Sequence, residues 1–173
     1  MALKSSKTCY GRMAVLMHWF VAIAILVLIP LGFRMSATTD MVLKAGLLKA
    51  HAAIGLMVFA ITIARIVWWW FADRKPEDLP GTPKLQSRVA HLTHTALNLI
   101  ILVMAISGIR MMVLINNGLG GSDQMFGPMK AHGVAAFLLI MMLTFHVAAA
   151  LYHQFILKDK LFARIGIGRM PAV

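Results

Sequence analysis

Hydrophobic positions in this chain neither alternate nor form narrow stripes. They run in four nearly unbroken stretches, approximately Met13–Phe33, Ala45–Trp70, Ala90–Leu114 and Met129–Leu157. A helix needs about 20 apolar residues to cross a bilayer, and each stretch is long enough. The first exceeds the apolar region of a cleavable signal, carries His18 and lacks a small-residue cleavage site, so it reads as a span. Connections are short: Arg34–Lys44, Phe71–Arg88 and Ile115–Pro128. Pro76, Pro80, Gly81 and Pro83 close the second helix, while Gly118, Gly120 and Gly121 mark a flexible turn in the last connection. The pattern predicts one all-α domain over residues 1–173, a transmembrane four-helix antiparallel bundle.

Composition narrows this further. The chain of 173 residues is 60% hydrophobic and 13% charged, far from the soluble average of about 45–50% and 25%. Disorder is excluded on the same grounds. Cys9 is the only cysteine, so no disulfide scaffold can form within the chain. The net charge of +11 is distributed by topology. Eleven of the seventeen basic residues flank the ends shared by the two termini, whereas Arg34, Lys44, Lys49, Arg110 and Lys130 fall on the opposite side. The positive-inside rule predicts both termini in the cytoplasm. Anionic membrane lipid explains the inner charges, and no nucleic-acid partner is implied.

Ionisable residues within a span are costly and mark function. All seven histidines lie in or at the edge of a span. His18, His91, His94, His146 and His153 lie toward the inner side, His51 and His132 toward the outer. His132 and His146 are fourteen residues apart, which is about 21 Å of helix. At about 100° per residue they return to nearly the same face. A two-imidazole outer site therefore requires His51 with His132. At the inner level His146 has His18, His91, His94 or His153 available, and spacing alone does not choose.

Paired imidazoles at two levels suit low-spin haem iron. Zinc or di-iron centres want cysteine or carboxylate ligands, and all six acids lie in loops or near span ends. Without a C-x-x-C-H attachment site, haem would be held non-covalently, as b-type. The fourteen-residue step from His51 reaches Arg65, whose guanidinium suits a haem propionate. From His18 it reaches Gly32 and from His94 it reaches Gly108, both at the outer level, where glycine lets a flat macrocycle approach the backbone. The fourteen methionines read as flexible apolar filling, and Trp68, Trp69 and Trp70 with Trp19 as an interfacial belt.

These residues resemble the bacterial cytochrome b561 family, four-helix di-haem proteins of the inner membrane that include superoxide oxidases. The resemblance rests on "MHWF", "KAHAAIG", "RVAHLTHTALNLII" and, most strongly, "MKAHGVAAFLLIMMLTFHVAAALYHQFILKD". It implies His18 and His146 as ligands of the inner haem b, and His51 and His132 as ligands of the outer one. It also associates His94 and His153, with His91 nearby, with a quinone at the inner end.

The activity it implies is a superoxide:ubiquinone oxidoreductase, carrying electrons from periplasmic superoxide through outer and inner haem to membrane ubiquinone. Lys49 and Lys130 each precede an outer histidine by two residues in a repeated "K-A-H", and with Arg110 they would draw in a small anion. The same lysines also suit lipid headgroups or propionates. The competing expectation is a di-haem electron-carrier subunit that links a partner dehydrogenase or hydrogenase to the quinone pool.

Overall fold

A computed structural model describes residues 2–78, 81–159 and 161–168. Lys160 and Arg169, counted above among the basic residues, lie outside that range. The elements are α1 (Arg12–Ala37), α2 (Met41–Phe71), α3 (Lys84–Asn116), α4 (Phe126–Tyr152) and α5 (Leu161–Arg164). A 3-10 turn, Asp123–Met125, leads into α4, and a π-helical turn, His153–Leu157, follows it. Among the described residues four helices are long and apolar enough to cross a membrane. The chain is a multi-pass membrane protein.

The helices outrun the apolar stretches that predict them. α1 continues to Ala37 instead of Phe33, α2 starts at Met41 instead of Ala45, and α3 starts at Lys84 instead of Ala90. Hydropathy marks where lipid tails lie, but backbone hydrogen bonding carries the helix on into the interface. At α2 the start is set by Asp40, whose Oδ1 accepts from the Val42 and Leu43 amides at 2.9 and 3.1 Å. Pro128 falls within the first turn of α4, where a missing N–H costs nothing. Pro30 lies inside α1.

α1 packs on α2 and α3 on α4, and the two pairs join between α2 and α3. The buried cluster is Val21, Ala24, Ile25, Val58, Ile101 and Leu139, with members from all four spans. Leu139 is midway between His132 and His146, so this apolar layer separates two histidine levels. Outward faces stay apolar and exposed, as at Leu16, Ile23, Phe33, Leu56 and Phe137, which is the surface a bilayer covers.

At the end carrying both termini, backbone and side chains tie the segments together. Arg164 is buried, and donates from Nε to the Thr8 carbonyl at 2.9 Å and from Nη2 to the Glu77 carbonyl. The Trp19 indole donates to the Ile165 carbonyl at 3.0 Å. Asp73 accepts from the Ser5 amide, the Ser5 hydroxyl at 2.8 Å and the Trp68 indole at 3.1 Å. Partial burial alone would raise the Asp73 pKa, but hydrogen bonds from Ser5, Arg74 and Trp68 outweigh it and hold the carboxylate below its ordinary range.

A depressed pKa contributes stability above the unfolded value and loses it as pH falls through the folded one. Hydrogen exchange of residues 2–10 should therefore stay slow from neutral pH down to about 4, the ordinary aspartate value, and quicken only below it. Asp73→Ala should make the segment exchange quickly already at neutral pH.

Candidate functional site

At the end distant from the termini, α2 and α4 bring His51 and His132 together. Their ring centroids are 6.2 Å apart and the planes are inclined by 61°. An imidazole nitrogen binds a first-row metal at about 2.0–2.1 Å. Adding a ring radius of about 1.15 Å on each side gives about 6.3 Å between the centroids of two imidazoles that share one metal ion, so the observed 6.2 Å is a spacing at which the pair could hold one.

The surroundings of His132 fix its tautomer. Its Nδ1 lies 3.0 Å from the Met104 carbonyl and 3.1 Å from the Ser107 hydroxyl, which itself donates to that carbonyl at 2.9 Å. Nδ1 therefore carries the hydrogen and Nε2 keeps its lone pair, as a metal-binding histidine requires. Across the gap, His51 Nδ1 is buried with no hydrogen-bond partner among the described residues.

Glycines on the other two helices make room for these rings. A Cβ at Gly32 of α1 would stand 3.5 Å from His51 Cε1, and one at Gly108 of α3 would stand 3.5 Å from His132 Cε1. Each imidazole thus rests against a stretch of bare backbone. Lys49 and Lys130 are exposed just beyond, with Arg110 also exposed at this end. Lys130 Nζ sits over the Phe126 ring, 5.8 Å from its centroid, which holds the ammonium toward the start of α4.

At the termini end the arrangement differs. His94 of α3 lies against His146 of α4, with centroids 5.2 Å apart and planes inclined by 70°. His18 packs edge-on against Trp19 at 5.5 Å and lies within electrostatic reach of Arg65 and His146. Arg65 donates to Oδ1 of Asn98, one helical turn beyond His94. Among the described residues this guanidinium meets no carboxylate. A cation in the bundle with only a neutral partner has the charge to pair with an anionic group.

The remaining histidines do not join that group. His153 binds Asp159 and Gln86, and His91 is exposed. Asn98, Ser107, Gln86 and Asp159 were not singled out from sequence. The available signal was a polar side chain in or beside a span, within a few residues of a histidine or facing one across the bundle.

Paired imidazoles at one end, a histidine cluster with an unbalanced arginine at the other, and an apolar layer between them describe a membrane redox protein. Residues 9–168 match the family model of prokaryotic cytochrome b561. The chain belongs to that family. Prokaryotic cytochromes b561 are membrane electron carriers that use haem b, and this chain is one. No curated relative and no solved structure matches the chain. For this cytochrome b561 the donors at the distal level are two nitrogens on separate helices. One has its tautomer set by a carbonyl and the other lacks a partner among the described residues, which fits a non-covalently held porphyrin iron.

Proposed function

We propose that this cytochrome b561 is a superoxide:ubiquinone oxidoreductase of the bacterial inner membrane, with both termini cytoplasmic and two b haems. One haem would be held by His51 and His132, the other by His18 and His146, with Arg65 on a propionate. Bound haem would supply a one-electron carrier at each level. The contact between His94 and His146 supports the choice of His18: centroids 5.2 Å apart leave less than the roughly 6.3 Å that a shared iron needs. His94 then stands beside His146 as a neighbour facing the quinone.

The observation that carries the reading is the placement of Lys49 and Lys130. Both are exposed, and each is two residues from a histidine of the pair whose rings lie 6.2 Å apart. Two cations beside one histidine pair raise the local concentration of a small anion. Two superoxide anions, each oxidised to dioxygen, release the two electrons that one ubiquinone needs, and two protons complete the quinol.

Stopped-flow mixing of the purified holoprotein with superoxide tests this. Rapid haem reduction is expected in the wild type. Lys49→Glu and Lys130→Glu should each slow it about tenfold at low salt, with the difference shrinking at high salt as charges are screened. Haem that superoxide leaves oxidised, but a dehydrogenase partner reduces, would establish a carrier subunit in its place.

A further inference from the structure

Residues 69–74, where α2 ends, line an open recess of about 520 Å³ together with Lys4 and Ser5. Its volume falls within the roughly 300–1,000 Å³ of small-molecule sites. Trp70 and Phe71 are 78% and 82% exposed at the end of a membrane-spanning helix, where an aromatic belt meets lipid headgroups. The recess therefore opens at headgroup depth.

The N-terminal segment brings Lys4 to this recess and is fixed there. The Ala2 and Leu3 carbonyls accept from the Arg12 and Met13 amides at 2.9 and 3.4 Å, at the start of α1. Ser5 donates to Asp73 from its amide and its hydroxyl, and the hydroxyl oxygen accepts from the Gly11 amide at 3.0 Å. Gly11 permits this close approach: a Cβ there would stand 2.3 Å from the Lys4 carbonyl carbon.

The donors of the recess are left open. Both Asp73 oxygens are occupied, by Ser5, the Trp68 indole and the Arg74 amide. Among the described residues, neither Lys4 nor the Arg74 guanidinium has an ion-pair partner. Among the same residues the Trp19 and Trp68 indoles each have an acceptor, whereas those of Trp69 and Trp70 have none. Two such cations against one occupied carboxylate leave a formal surplus of one positive charge. Guanidinium and ammonium groups both bind phosphate oxygens, and the open indole N–H groups add neutral donors.

We propose that this recess binds the phosphate of an anionic membrane phospholipid through Lys4 and Arg74. The aromatic rings of Trp70 and Phe71 flank the lipid where its chains begin. Bound lipid thereby ties the N-terminal segment to the end of α2.

Native mass spectrometry of the purified holoprotein tests this, with phosphatidylglycerol or phosphatidylcholine of the same acyl chains. The wild type is expected to prefer phosphatidylglycerol about tenfold. Lys4→Gln and Arg74→Gln should each weaken its binding about fivefold, the worth of one cation near a lipid surface. Lys84→Gln removes an exposed cation that does not line the recess, and should change nothing. Gly11→Ala keeps every charge yet pushes Lys4 aside, so it should weaken binding as Lys4→Gln does. Haem content should stay at the wild-type level throughout. Equal binding of the two lipids, or equal weakening by Lys84→Gln, overturns the proposal. Displacement of the lipid by millimolar inorganic phosphate also overturns it, and would make the recess a site for the free anion.

Discussion

Replacing His132 with alanine should remove one haem and leave the other. His132 and His51 face each other across 6.2 Å, and with one imidazole gone an iron held there would keep a single protein ligand. His146 is fourteen residues away, on the far side of the layer of Val58, Ile101 and Leu139, so the second level lies away from the loss. Haem absorbance per chain is expected to fall by half, and His51→Ala should give the same spectrum because it empties the same level. The fold should persist, since the Ser107 hydroxyl still bonds to the Met104 carbonyl after the ring is gone. Retention of both haems in His132→Ala, or loss of both with helix content intact, would show that the pair is assigned wrongly.

A second large effect is expected at Gly108. An added Cβ would meet His132 Cε1 at 3.5 Å, an ordinary van der Waals distance, so Gly108→Ala should keep both haems. Leucine adds three further carbons where the imidazole already lies. Gly108→Leu should displace His132, break its bond to the Met104 carbonyl and deplete the distal haem. Overfilling of this kind costs about 1–3 kcal/mol, so the melting temperature should fall as well. Gly32→Leu should do the same through His51, its neighbour on the other side. Absorbance and thermal denaturation of the alanine and leucine variants check this, because a purely backbone role for the glycine would penalise both alike.

Four spans were legible because continuous apolar sequence permits little else. Their ends were less so, since a cap such as Asp40 or a polar interfacial turn carries no hydropathy signal. The meeting of His51 with His132 was legible for a simple reason: only these two histidines lie toward that end. The fourteen-residue step put Gly32 and Gly108 at that level as room for a macrocycle, but that they lie against the two imidazoles was not legible, because the step does not say which helices face each other.

The other end was not readable in this way. Five histidines crowd there, and helix periodicity fixes rotation within one helix but not which helix faces which. The contact of His94 with His146 therefore had no signature. Asn98 and Ser107 are ordinary polar residues until a neighbour gives them a partner. Asp159 reaches His153 only because Lys158, a residue without glycine's freedom, takes a positive φ. Arg164 is buried by carbonyl groups from segments far along the chain, a contact that no local pattern announces.

The haem-to-chain ratio of the purified protein, expressed with ample haem supply and read with its reduced-minus-oxidised spectrum, is the most direct measurement. Two b haems per chain with a low-spin, bis-histidine spectrum are predicted; a folded protein that binds one haem or none would contradict the account.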